Sequence, residues 1–217
     1  MTFKKASLNR ILQIDFVRNV NLTGKILEFG TNLNSSKRFS LFSKIQEPNE
    51  LFFADKSFSE NLIDKHHSYE DLEKKLSYND SKFNNVLVFN VLEHVYDFNN
   101  SINEIFRILN IGGKIVGAVP FFYRIHNAPN DYFRITSQAL EKKLTETGFK
   151  NVTVKELGFG PFTACYALLF DYFKYIPLFN NLFLIITIGC DKFLQIFVKS
   201  RLGNQYPISI CFIGEKN

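Results

Sequence analysis

The sequence has no tryptophan, one methionine and only three cysteines in 217 residues. Cys165, Cys190 and Cys211 are odd in number and all lie among apolar neighbours in the last third of the chain. Their spacing fits neither a disulfide framework nor a metal motif. They are expected to be buried free thiols, which suits a reducing compartment. No phosphate-cradling G-x-x-x-x-G-K-[ST] loop occurs, which excludes an ordinary NTPase, and no G-x-G-x-x-G dinucleotide turn occurs either. Charge of one sign is never massed: 26 Lys+Arg against 21 Asp+Glu leave a scattered +5, without the basic block of a dedicated nucleic-acid binder. Residues 175–190 carry no charge, but Pro177, Asn180 and Asn181 interrupt them, and 16 residues fall short of a spanning helix. The opening residues are not followed by an apolar run, since Asn9, Arg10, Gln13 and Asp15 intervene, so no leader peptide is expected.

What remains is an ordinary globular composition. Hydrophobic residues at 46% and charged residues at 22% can build a core, and the length suits a single domain over 1–217. Leu8, Ile11, Leu12, Phe16 and Val20 recur at helical spacing and predict a leading helix over 5–20. Residues 24–30 read as a buried strand turning at Gly30. Asn32, Asn34, Ser35 and Ser36 follow, and Ser35 or Ser36 is expected to cap a helix running to about Ile45. Residues 51–54 read as a second strand ending at Asp55, and the stretch holding His66, His67, Glu70 and Asp71 as a solvated loop and weak helix. Residues 85–90, apolar on both faces, predict a parallel strand covered on each side. A helix over 101–109 is expected to end at Asn110 and the pair Gly112-Gly113, followed by a strand over 114–119 that Pro120 stops. A helix over 136–147 stopped by Gly148, a strand over 151–157 and a last strand over 206–213 complete the pattern. Alternating strands and helices imply an open α/β sheet, with chemistry sought along the carboxyl ends of its strands. Gly30, Asp55, Asn90 and Pro120 all stand at such ends.

Residues 161–203 interrupt the pattern as an apolar helical insertion before the last strand. Two accounts of 161–198 stand open: core packing or a homodimer contact, and peripheral contact with a membrane at its inner face.

The stretch 83–95, with Leu92-Glu93-His94, and the stretch 104–115, with Arg107-Ile108-Leu109-Asn110-Ile111-Gly112-Gly113, occur in order and together. They resemble the strand-four and strand-five elements of class I S-adenosylmethionine-dependent methyltransferases. The resemblance covers about residues 22–160. It implies a Rossmann-like sheet, mostly parallel with an antiparallel last strand and helices on both faces, S-adenosylmethionine as cofactor, and a cytoplasmic enzyme. By that pattern Glu28 and Gly30 would meet the methionyl part of the cofactor, Asp55 the ribose and Asp71 the adenine, while Asn90 would lie beneath the sulfonium. Asn32 and Asn34 depart from the pattern, which usually has glycines there. That departure keeps a second reading open, a methyltransferase-like binding or scaffold subunit without turnover.

Residues 120–136 hold His126, Pro129, Asp131, Tyr132, Arg134 and Thr136 in a spacing that resembles methyltransferases of cell-surface glycan assembly. The implied acceptor is a small molecule or a glycan, lipid-linked in one version, and no nucleic acid. A hydroxyl acceptor benefits from a base titrating near neutrality, and His126 and His94 are the candidates. For His94 an orienting role competes. Tyr123, Tyr132 and Arg134 are candidate substrate contacts, against the plainer account that Asp131 and Arg134 pair locally. No metal is expected: Glu93 and His94 alone make a poor magnesium site, because that ion prefers oxygen. Tyr78-x-x-x-Lys82 matches the spacing of a short-chain dehydrogenase but stands in a polar loop before a strand, which disfavours an oxidoreductase.

Overall fold

The computed structural model describes residues 6–31, 38–59, 63–127 and 129–217. The expected turn residues Asn32 and Asn34 and the expected caps Ser35 and Ser36 lie outside them. Helix α1 (Leu8–Val17) opens the described chain, its first turn closed by Ser7 Oγ accepting from the Arg10 amide. Strands β1 (Asn21–Phe29), β2 (Lys44–Ala54), the two-residue β3 (His67–Ser68) and β4 (Phe83–Phe89) follow. Then come helix α2 (Phe98–Ile108), strand β5 (Leu109–Pro120), helix α3 (Ser137–Thr147) and strand β6 (Phe149–Leu157). The insertion forms α4 (Pro161–Phe173), α5 (Pro177–Gln195) and the short α6 (Leu202–Gln205) before β7 (Ser209–Lys216).

The sheet runs β3-β2-β1-β4-β5-β7-β6, parallel except for β7, which lies antiparallel between β5 and β6. The open α/β sheet that the alternation implied is present, and its mostly parallel order with an antiparallel last strand is the one the resemblance implied. The central strands explain their own burial. Leu27, Val86, Val88, Ile115 and Val119 fill the core on one face, while Ile26, Leu87, Phe89, Val116 and Ala118 fill that on the other. Period-two side chains that are apolar at every position demand cover on both faces. Connections leave the middle of the sheet in opposite directions, to β2 on one side of β1 and to β4 on the other. A crevice therefore opens at the carboxyl ends of β1, β2 and β4.

Four local expectations are corrected. The helix reaching Ile45 is replaced, among the described residues, by a single 3-10 turn at Ser40–Phe42, and Ile45 belongs to β2. The stretch around His66 to Asp71 is not helical; His67 and Ser68 pair beside β2, and His67 stacks on Phe53. The glycine pair does not cap α2. Helix passes straight into strand at Leu109, and Lys216 Nζ donates to the carbonyls of Phe106 and Leu109 at 2.8 Å each, satisfying the open end from across the sheet. The three cysteines are free, but only Cys211 is buried; Cys165 is exposed and Cys190 half-buried, because the helices that carry them turn much of their surface outward.

Candidate active site

A cavity of about 400 Å³ opens at the crevice. Gly30, Asp55, Asp71, Asn90 and His94 line it, with Phe29, Ala54, Leu72, Val91 and Val95 as apolar walls. Its size lies in the ~300–1,000 Å³ range of small-molecule sites. Gly30 has φ +71°, and a Cβ there would stand 2.4 Å from Val91 Cγ2. Only glycine makes this turn, so bare backbone forms that part of the wall. Asp55 Oδ1 accepts from the Ser57 amide at 2.8 Å, which shapes the loop after β2. Asp71 is shaped likewise by the Glu73 amide at 3.0 Å. Its neighbour Glu70 also lines the cavity, buried and bonded to Ser77.

Glu28 does not line the cavity. Its carboxylate is buried against the other face of the sheet, accepting from the amides of Phe39 at 2.6 Å and Ser40 at 3.1 Å. Burial raises its pKa, and those amides oppose the rise. Glu28 thus fastens the segment that returns from the glycine turn. Asn90, at φ +55°, ends β4 with its side-chain amide turned onto Gln13 of α1.

A second cluster borders the cavity beside His94. Glu93 is fully buried, and neither carboxylate oxygen has a hydrogen-bond partner among the described residues. Burial raises its pKa to about 8, opposed by Arg134. His94 Nε2 stands 3.8 Å from Glu93 Oε1, and its Nδ1 meets the carbonyl of Asn130. The Nδ1 proton is therefore donated to that carbonyl, which leaves Nε2 with the lone pair. Burial lowers the pKa of His94 and keeps the ring neutral. The His126 ring packs edge-on to His94 at 4.8 Å, with its Nδ1 3.2 Å from Asp131 Oδ2. Ligand atoms of Glu93, His94 and His126 lie within 4.8 Å of one another. One carboxylate and two imidazoles form a donor set for a transition metal rather than for magnesium.

Arg134 braces this loop. It grips Asp131 through both nitrogens at 2.6 and 2.8 Å and donates to the carbonyls of Phe133, Tyr123 and Arg124. The plainer account, local pairing with Asp131, is the geometry observed. Arg134 holds Asp131 well below the usual carboxylate range. Tyr132 is exposed and packs on Tyr96, while its amide donates to the Glu93 carbonyl at 2.8 Å. Tyr123 leans on His126 at 5.1 Å. Sequence reasoning passed over Gln13, a polar residue on the inner face of an amphipathic helix. It weighed Glu93 only as a magnesium ligand, although an acid next to the histidine after a buried strand was a usable signal for more.

Residues 43–117 match a family described as a methyltransferase domain. No curated protein matches the chain. Among solved structures, the fold is similar to phosphoethanolamine N-methyltransferase 2 of Haemonchus contortus in complex with phosphomonomethylethanolamine and S-adenosylhomocysteine. That likeness has a TM-score of 0.58 at 14% identity, covering 95% of this chain and 52% of that one. The chain thus spans about half the length of that relative. A methyltransferase from Thermotoga maritima aligns with a TM-score of 0.60 at 15% identity, covering 96% of this chain and 89% of that one. Another from Archaeoglobus fulgidus aligns with a TM-score of 0.55 at 12% identity, covering 94% and 89%. At such identities the likeness is one of fold. Residues 43–117 thus match a methyltransferase domain, and the chain around them has the fold of S-adenosylmethionine-dependent methyltransferases.

Proposed function

We propose that the chain transfers a methyl group from S-adenosylmethionine to a small-molecule or glycan acceptor at the cavity between β1, β2 and β4. One observation carries this reading: Gly30, Asp55, Asp71, Asn90 and His94, drawn from separate strand ends, line the same cavity. The residues suit the cofactor. The Gly30 turn offers backbone that a ligand can approach closely. The Asp55 carboxylate suits paired ribose hydroxyls, and Asp71 suits the adenine edge. Phe29, Leu72 and Val95 offer apolar surface for a flat base. When bound, the cofactor supplies a sulfonium whose methyl is already electrophilic, so the protein's task is alignment.

His94 is then the group that takes a proton from a hydroxyl acceptor. Its Nε2 carries the lone pair, burial keeps it neutral, and the ring fronts the cavity. Glu93 Oε1 stands 3.8 Å from that same Nε2, so where Glu93 is already ionised its carboxylate stabilises the imidazolium that forms. His126 and Tyr123 bound the acceptor side, with Tyr132 and Tyr96 as exposed rings on which a sugar can stack. Arg134 serves as brace and not as an anion clamp, since its guanidinium is already committed.

A second reading, a binding subunit without turnover, draws on Asn32 and Asn34 standing where the resembled family carries glycines. Isothermal titration with S-adenosylmethionine and S-adenosylhomocysteine separates the two. Micromolar binding of both is expected. No heat at millimolar ligand would sink the catalytic reading.

A further inference from the structure

Helix α5 is apolar on its outward side as well as its inward one. Inward, Phe183 and Leu184 pack on the cluster of Leu8, Tyr166 and Ile208, and the polar residues there are engaged: Asn180 accepts from the Tyr166 hydroxyl at 3.0 Å, and buried Thr187 donates to the Leu184 carbonyl. Asp191, 1% exposed, accepts from the amides of Phe162 and Thr163 and from Thr163 Oγ1 at 2.7 Å. Its outward residues are apolar: Leu178, Leu182, Ile185, Ile186 and Phe193 are all more than half exposed. Only 11% of its most apolar window is buried. A helix facing water carries the opposite pattern. An apolar face of this extent marks a surface meant for an apolar medium.

We propose that the α4–α5 hairpin lies flat in the headgroup interface of an anionic bilayer. The distribution of charge selects this occupant. Residues 175–190 carry no charge, while Lys174 precedes them and Lys192, Lys199 and Arg201 follow, the last three exposed. The two acids of the hairpin do not offset this. Asp171 is bridged by Arg124 and by Lys174 at 2.7 Å, and Asp191 is buried. Basic ends flanking an apolar stripe match anionic headgroups over acyl chains. Tyr172 and Tyr175, 74% and 76% exposed, stand where interfacial aromatics anchor. The helix lies on the surface and does not span it, because Asp191 ties it to the first turn of α4 and its Phe183 and Leu184 pack on the cluster of Leu8, Tyr166 and Ile208.

The surface borders the loop that carries His126. β6 runs parallel to β5, so α4 starts at the same rim of the sheet, and Arg124, two residues before His126, pairs with Asp171 of α4. If the methyl-transfer reading holds, an acceptor carried by a lipid reaches the loop of His126 from this side. Bilayer binding itself does not depend on that reading.

Flotation of the full chain with vesicles tests the proposal, using phosphatidylcholine alone and phosphatidylcholine with phosphatidylglycerol. The chain should float with the anionic vesicles, more weakly with the neutral ones, and less as salt rises. Leu182→Ser with Ile186→Ser should lower the partition coefficient by about tenfold or more, and Lys192→Glu with Lys199→Glu should abolish the preference for anionic lipid. Both pairs are on the surface, and an unchanged melting temperature together with retained S-adenosylhomocysteine binding certifies their fold and their site. Absence of flotation with either vesicle overturns the proposal. So does flotation that the Ser pair leaves intact, or a concentration-dependent dimer that the Ser pair breaks while vesicles go unbound.

Discussion

The side-chain amides of Gln13 and Asn90 hold each other by two reciprocal hydrogen bonds, Gln13 Nε2 to Asn90 Oδ1 at 2.8 Å and Asn90 Nδ2 to Gln13 Oε1 at 2.9 Å. Gln13 is fully buried and also reaches Ser209 Oγ on β7 at 2.9 Å. One helical side chain thereby joins the first helix, the end of the central strand and the last strand beneath the cavity. Gln13→Ala leaves the Asn90 amide without its partner, and an unmet polar group at such a place costs about 1–3 kcal/mol. Urea unfolding should show that loss, and S-adenosylhomocysteine affinity should fall with it. Full affinity in a destabilised variant would mean that the floor of the cavity does not need this clamp.

Asp55 offers the sharpest test of the cofactor assignment. Asp55→Ala should weaken S-adenosylhomocysteine binding by about 1.5–3 kcal/mol, the usual worth of hydrogen bonds to a charged group, which calorimetry reads as about a tenfold to hundredfold rise in Kd. Unchanged affinity would remove Asp55 from the site.

The strands at the centre of the sheet were legible because their information is local. Ile26, Val86, Leu87, Val88 and Val116 are apolar without a break, and Gly30, Asn90 and Pro120 punctuate them, so the rim with its strand-end residues followed directly. What stayed hidden is held from a distance. Nothing near residue 108 announces that Lys216 will close the helix ending there. Nothing in the polar run 44–50 announces a strand; it becomes one by pairing beside β1, with Asn21 against Lys44 and Gly24 against Asn49. Glu28 is assigned to the methionyl part of the cofactor by the resemblance alone. Its buried carboxylate instead faces amides eleven and twelve residues on.

Glu93 makes stability depend on pH in an uncommon direction. Its carboxyl titrates at 4.5 when exposed and at about 8 in the folded protein. Between those values the native state binds the proton more tightly than the unfolded chain, so this residue lowers stability as pH climbs through the interval. Glu93→Gln removes that dependence. The melting temperature of the variant minus that of the parent should be small at about pH 5 and increasingly positive towards about pH 8.5. A difference that stays flat across the range would show that Glu93 ionises normally.

Arg134 distinguishes a brace from a substrate contact. Its planar fork engages both oxygens of Asp131, and the same guanidinium collects the carbonyls of Phe133, Tyr123 and Arg124. Lysine keeps the charge but cannot reproduce that fork. Arg134→Lys should therefore speed hydrogen exchange across the loop at 123–134. Because the Asn130 carbonyl that orients His94 belongs to this loop, the variant should also alter the pH titration of His94 followed by NMR. Binding of S-adenosylhomocysteine should hold, since Arg134 does not line the cavity. If exchange and titration are both unmoved while acceptor turnover collapses, Arg134 is releasing Asp131 to grip the substrate, and the loop draws its rigidity from the packing of Tyr132 and Phe133 against Tyr96.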